Sequence, residues 1–131
     1  MAISSIKVTL PCDIQSVWEI VTSLDNYAWR SNIKKIEVLN ANEFVEYTKE
    51  DYKTKFTVTC AEPYQRWEFD LENDRIKGHW MGIFAEHKKE TTIEFTEEIY
   101  AKKLYLKPFI KMYLKKQQEI YIADLKNVLD V

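Results

Sequence analysis

The residue types that most often carry catalysis or bind metals are few and scattered in this sequence. Its histidines are His79 and His87, and its cysteines are Cys12 and Cys60. Neither histidine has a cysteine or carboxylate at the spacing of a zinc site, and the two cysteines are too distant in sequence to form one. There is no Gly-x-Ser-x-Gly nucleophile motif. We therefore expect no metal site, no cofactor and no catalytic nucleophile.

Large aromatic side chains are the stronger functional signal. The chain has 131 residues and contains four Trp, eight Tyr and six Phe. Five rings fall on the predicted inward face of a sheet: Phe56, Trp67, Phe69, Trp80 and Phe84. Ligand cavities are lined mainly by apolar groups, and five large rings on a curved sheet are hard to pack without a gap. Two interpretations stay open, because the rings either fill the core or line a cavity.

Polar residues at predicted inward positions could anchor a ligand in such a cavity. Gln117 falls in the apolar stripe of a predicted helix, with Ile110 and Tyr113 beside it. A buried amide needs a hydrogen-bond partner, which is either a protein group or the polar end of a ligand. We predict that these three residues and the five rings form the ligand site. Glu46 and Glu97 are candidate inward carboxylates, although the strand register leaves the choice between them open.

The hydropathy pattern predicts the elements that position these residues. Residues 3–10 alternate as a strand that ends at Pro11, and Asp13 can cap a helix over about residues 14–23. A second short helix or turn is expected around residues 25–29. Six further segments alternate with a period of two and are separated by short polar breaks: 33–39, 43–49, 54–61, 66–72, 76–85 and 91–100. From Pro108 to Val128 the period is that of a helix.

These elements predict one α+β domain over residues 1–131. Breaks of hairpin length favour an antiparallel meander. We expect a curved seven-strand antiparallel sheet wrapped around the long C-terminal helix, with two short helices between the first and second strands. Glycine occurs only at Gly78 and Gly82, so a dinucleotide-binding fingerprint or a phosphate-cradling loop cannot be formed.

The order of elements and several local motifs resemble the START-like superfamily, also called SRPBCC, whose fold is the Bet v 1-like or helix-grip fold. The resemblance is closest to its polyketide cyclase/dehydratase and lipid-transport branch and covers nearly the whole chain. The motifs that carry it are the first strand followed by Pro11, Val17-Trp18, Leu24-Asp25-Asn26-Tyr27-Ala28-Trp29, Glu90-Thr91-Thr92-Ile93 and the closing helix. It implies the helix-grip fold and a role among binders, carriers, cyclases and co-chaperones.

The charge is nearly balanced, with 19 basic and 21 acidic residues, which argues against a nucleic-acid binder. Residues 101–131 differ, because they contain seven Lys and three acidic residues. This basic segment is either a solvated helix face or a surface for an acidic protein partner or a membrane. We find no signal peptide and no membrane-spanning run, so we expect a cytoplasmic protein.

Three functions follow from these observations. The first is a non-catalytic carrier or sensor that binds a small hydrophobic or aromatic molecule. The second is an enzyme of the cyclase or dehydratase type, which needs an inward Glu46 or Glu97 beside a tyrosine as acid or base. The third is an interaction module, of the kind seen in co-chaperones, that uses the basic helix face. A buried carboxylate in an enclosed cavity would favour the enzyme, and a cavity without one would favour the carrier.

Overall fold

The computed structural model describes residues 1–131, and it contains one seven-stranded sheet, one short helix and one long C-terminal helix. The strands and helices are β1 (Ala2–Leu10), α1 (Ile14–Thr22), β2 (Ile33–Val38), β3 (Glu43–Thr48), β4 (Lys53–Glu62), β5 (Arg66–Glu72), β6 (Ile76–His87), β7 (Glu90–Ala101) and α2 (Lys107–Leu129), with a single 3-10 turn at Leu104–Leu106 before α2. The predicted fold class and strand count are confirmed.

The sheet is an antiparallel meander that is completed by its first strand. Strands β2 to β7 follow one another in space as they do in sequence, and β1 pairs with β7 at the far edge. The sheet order is therefore β1-β7-β6-β5-β4-β3-β2. The sheet is curved, and its concave face is turned toward α2 as the helix-grip arrangement requires.

Of the short helix and the turn that the sequence allows around residues 25–29, the structure has the turn, so only one of the two short helices expected between the first and second strands is present. The reason is local hydrogen bonding. Ser23 Oγ accepts from the Asn26 amide at 3.1 Å, and the Trp29 indole donates to the Asn26 carbonyl at 3.0 Å. Side chains that bond to nearby backbone in this way compete with helix formation. The turns direct the chain from the end of α1 to the start of β2.

Strict alternation puts apolar side chains on the concave face of the sheet. Trp67, Phe69 and Leu71 of β5 are buried, and the charged residues between them are not. Trp80 and Phe84 of β6 face the same way. The predicted inward positions on these strands are confirmed.

The buried face of α2 agrees with the predicted stripe only in part. Ile110, Leu114 and Leu125 of that stripe are buried, but Gln118 is buried as well, and Tyr113 is 53% exposed. The Gln118 amide explains the rotation, since it donates to the Ser4 carbonyl and accepts from Ser4 Oγ, both at 2.9 Å. These bonds dock α2 against the edge strand β1, so the helix turns the side that carries Gln117 and Tyr121 toward the sheet's interior.

Gly78 is required where β6 passes close to β7. A Cβ at this position would lie 2.3 Å from the carbonyl oxygen of Glu98 and 2.6 Å from a methyl of Ile99. The oxygen belongs to the backbone, so the two strands would have to separate to make room. The lack of a side chain here allows β6 and β7 to pair closely within the curved sheet.

We expect Gly78→Ala to lower the free energy of unfolding by about 1–3 kcal/mol, because a methyl group must be forced into a filled space. Urea denaturation measures this. Lys88→Gly is the opposite control. Lys88 has a left-handed backbone, with φ of 58°, at the β6–β7 turn, so glycine should leave the stability equal or raise it by up to about 1 kcal/mol. An unchanged midpoint for Gly78→Ala would contradict the close strand approach.

Candidate functional site

A cavity of about 200 Å³ lies between the concave face of the sheet and α2. It is smaller than the roughly 300–1,000 Å³ of pockets that hold drug-sized ligands, so it suits a small molecule. Most of its lining is apolar. The cavity exists because α2 packs on the β1 edge and leaves the central strands partly uncovered.

Aromatic rings that contact one another form the wall of the cavity. Phe69 and Trp80 stack with ring centres 4.8 Å apart, and Trp80 also lies 4.8 Å from Phe95. Phe44 and Phe56 form a second stacked pair at 5.0 Å. Rings that contact one another in this way hold each other in place and give the cavity a rigid apolar wall.

Arg30 brings a positive charge to the cavity. Its Nη1 donates to Glu46 Oε2 at 3.5 Å, and both side chains are largely buried. The guanidinium also lies 4.9 Å from the centre of the Tyr121 ring, at cation–π distance. The Arg30 Nε is buried and has no partner within the chain. This donor is enclosed by the protein and has no acceptor there.

Glu97 places a carboxylate on the same concave face. It lies on β7 opposite Trp80 in the strand register, and it lines the cavity. It makes no hydrogen bond within the chain, and burial raises its pKa to about 7, with Arg30 lowering it and Glu46 raising it further. A carboxyl group with a pKa near neutrality exists in both protonation states, which is the property of a general acid or base.

Asn32 and Gln117 connect the 23–32 segment to α2 beside the cavity. The Asn32 amide donates to Gln117 Oε1 at 3.0 Å, and the Asn32 Oδ1 is buried without a partner. Ser31 strengthens the connection, because its amide and hydroxyl both donate to Asp124 Oδ2, at 2.8 and 2.9 Å. Gln117 thus lines the cavity, and its Oε1 has a protein partner. Its role as a ligand anchor stays a prediction.

Four tyrosines line the cavity, and two of them, Tyr113 and Tyr121, lie near its charged groups. Burial raises the pKa of Tyr121, with Arg30 acting in the opposite direction. Burial also raises the pKa of Tyr113, and the Glu97 carboxylate adds to this. Both hydroxyls are therefore neutral at physiological pH and can donate hydrogen bonds. The enzyme hypothesis needs an inward glutamate beside a tyrosine, and Glu97 lines the cavity together with these tyrosines.

The structure places six of the eight predicted site residues around the cavity: Phe56, Trp67, Phe69, Trp80, Tyr113 and Gln117. Phe84 and Ile110 are buried but lie outside the cavity lining. Phe84 also lies on the concave face, but α1 covers it there, with the Trp18 ring 4.9 Å away, so it does not reach the cavity.

Sequence reasoning missed the cavity residues of the 23–32 segment. Trp29, Arg30 and Asn32 all line the cavity, but they lie in turns, where no periodicity shows which way a side chain points. The available signal was composition, because Trp29 brings a large apolar ring into a segment without periodicity. Neither histidine lines the cavity. His79 lies on the opposite face of the sheet, where it is hydrogen-bonded to Asp70 and Glu68 at 2.7 Å.

Comparison with known proteins assigns the fold. No family model matches the sequence, and no curated protein matches it either. Solved structures do match. A START superfamily protein from Mycobacterium smegmatis has a TM-score of 0.84 at 14% identity, with 98% of this chain and 97% of that chain covered. A conserved protein from Geobacillus kaustophilus has a TM-score of 0.85 at 9% identity, with 98% and 95% covered.

A third similar structure comes from a biosynthetic pathway. The di-domain ARO/CYC protein BexL, from the BE-7585A pathway, has a TM-score of 0.83 at 9% identity, with 99% of this chain and 47% of that chain covered. This chain therefore corresponds to about half of BexL. These matches show that the chain has the START-like, helix-grip fold. No helix in the structure has the length and apolar composition needed to cross a bilayer.

We expect Glu97→Gln to become more stable than the wild type as the pH rises. Folding raises the pKa of Glu97 from 4.5 to about 7, so between these values the folded state binds more protons than the unfolded state. Wild-type stability therefore falls across this range. A glutamine cannot ionise, so its thermal midpoint should match the wild type near pH 4 and exceed it at pH 8.

Glu94→Gln is the matched control, because Glu94 lies on the same strand and is exposed. Its midpoint should differ from that of the wild type by a similar small amount at every pH. A Glu97→Gln curve that ran parallel to the wild type from pH 4 to pH 8 would contradict the raised pKa.

Proposed function

We propose that the protein binds a small, planar aromatic molecule that carries a hydroxyl or carbonyl group. The single observation that carries this proposal is the Glu97 carboxyl group, which lines the aromatic cavity and makes no hydrogen bond within the chain. Buried polar groups in proteins nearly always have partners. A ligand hydroxyl or carbonyl would supply one, while the rings would contact its apolar body.

The arrangement of these groups would orient a bound ligand. Phe69, Trp80 and Phe95 offer faces and edges for stacking. Arg30 offers a donor and Glu97, when ionised, an acceptor, so a ligand oxygen can be bound in either role. Each group is held by the fold before binding, Arg30 by Glu46 and by the Tyr121 ring. Little ordering would then be needed when the ligand enters.

We expect 2-naphthol to bind more tightly than naphthalene and to lose this advantage in Glu97→Leu. Removing a hydrogen bond to a buried ionisable group should weaken 2-naphthol binding roughly tenfold or more, with naphthalene affinity equal or improved. Trp29, Trp67 and Trp80 line the cavity, so quenching of tryptophan fluorescence reports binding directly.

Glu94→Leu, on the exposed face of the same strand, should bind both compounds as the wild type does. Equal affinity of the wild type for 2-naphthol and naphthalene would contradict the polar recognition. Native mass spectrometry of the purified protein adds a search for a small molecule that copurifies.

A second candidate function is proton transfer to and from a bound ketone, as in a cyclase or dehydratase. The observation that favours it is the Glu97 carboxyl, whose pKa of about 7 suits a general base. The ionised carboxylate would remove a proton from the carbon next to the ligand carbonyl, and the electron pair would move onto the carbonyl oxygen. Arg30 or a neutral tyrosine hydroxyl could donate a hydrogen bond to that oxygen. The fold that the chain shares with the ARO/CYC protein BexL is compatible with such a role.

We expect the protein to accelerate exchange of the α-protons of 2-tetralone for deuterium, with a rate that rises with pH through about 7 as Glu97 ionises. NMR in deuterated buffer measures the loss of the proton signal. Glu97→Gln should reduce the protein-dependent rate by about 100-fold or more, which is typical for loss of a general base.

Glu94→Gln should exchange at the wild-type rate. Binding of 2-tetralone without protein-dependent exchange would leave the first function standing and remove the second.

A further inference from the structure

The 3-10 turn before α2 and the first two turns of α2 present a surface of exposed apolar side chains. The five residues of this surface are Leu104, Tyr105, Phe109, Met112 and Tyr113, and more than half of each is exposed. Within α2 the spacing of three and four puts Phe109, Met112 and Tyr113 on one side of the helix. This side is turned away from buried Leu114 and Gln118. A cluster of this kind marks an interaction surface.

The same segment is strongly basic. Residues 102–116 contain six lysines and no acidic residue. Lys102 pairs with Glu72 at 2.6 Å. The other five form no ion pair in the structure: Lys103, Lys107, Lys111, Lys115 and Lys116. The spacing of three, four and seven puts Lys116 on the side of α2 that carries Phe109, Met112 and Tyr113, and Lys115 follows Met112 by three residues. Positive charge that is not neutralised within the chain therefore flanks the exposed apolar side chains.

We infer that this surface docks onto an anionic lipid leaflet. Apolar side chains such as Leu104, Phe109 and Met112 can enter the headgroup region of a leaflet. Tyrosines favour the boundary between lipid and water. Lysine stems lie along apolar surface while their ammonium groups reach anionic headgroups. Charge complementarity thus selects acidic lipid, and the apolar residues anchor the contact.

The shape and charge of the surface disfavour the other occupants. The outer side of a helix is convex, so a protein partner would need a matching groove, whereas a leaflet deforms around it. A second copy docked symmetrically would place lysines against lysines, which costs free energy through like-charge repulsion. The leaflet requires neither a groove nor acidic side chains.

The docking surface adjoins the cavity, because Tyr113 belongs to both. Tyr52, whose ring lies 4.5 Å from the Arg75 guanidinium, lines the cavity as well. A docked protein would therefore bring this end of the cavity to the leaflet. The importance of this approach for ligand binding rests on the proposed function, whereas the docking itself does not.

Flotation with lipid vesicles tests the inference on the full chain. The protein should float with phosphatidylcholine vesicles that contain roughly one-third phosphatidylserine, stay behind with pure phosphatidylcholine, and dissociate at high salt. Phe109→Ser combined with Met112→Ser should weaken partitioning roughly tenfold or more. Both side chains are exposed, so the fold should be retained, and circular dichroism checks it. Lys115→Glu with Lys116→Glu is the independent charge variant, with the same expected loss.

Two matched controls exist elsewhere on the surface. Val38→Ser with Leu39→Ser removes two exposed apolar side chains beside β2, and Lys88→Glu with Lys89→Glu reverses two lysines at the β6–β7 turn. Both should float as the wild type does, and so should Glu97→Gln, which separates docking from ligand binding. Absence of flotation with acidic vesicles, equal loss in the controls, or a concentration-dependent dimer abolished by the Phe109/Met112 variant would each overturn the inference.

Discussion

The shape and lining of the site depend on one contact, the docking of α2 against the edge strand β1. Gln118 and Ser4 exchange two hydrogen bonds in a buried position, which fixes both the position and the rotation of the helix. One helix placed at the edge of a seven-stranded sheet cannot cover its whole concave face. The remaining space is lined by the rings of the central strands, and it forms the cavity.

Burial of charged groups in that space gives the cavity its chemistry. Arg30 is paired with Glu46, whereas Glu97 has no hydrogen-bond partner within the chain. Placing an unpaired carboxylate on an apolar face costs stability, and the cost appears as a pKa raised to about 7. Strain of this kind is concentrated at functional sites, because a group that serves only the fold is normally satisfied. The binding and the proton transfer that we propose are therefore two uses of the same arrangement.

The sheet could be predicted from the sequence because period-two alternation is a local signal. Residues 66–72 were predicted as a strand and form β5 with the same bounds. The rotation of α2 could not be predicted, because apolar residues occupy both sides of the helix, with Leu114 buried and Phe109 exposed. The turns that carry Arg30 and Asn32 have no period at all, so their approach to the cavity depends on contacts with α2 that are distant in sequence.

A ¹³C NMR titration of the Glu97 carboxyl carbon tests the central claim most directly, since it reports the protonation of this group without relying on stability or on a ligand. With glutamate labelled at the side-chain carboxyl and the Glu97 signal assigned by its loss in Glu97→Gln, the account predicts a midpoint of about 7. A midpoint near 4.5, the ordinary value of a solvated glutamate, would contradict a desolvated carboxylate in the cavity.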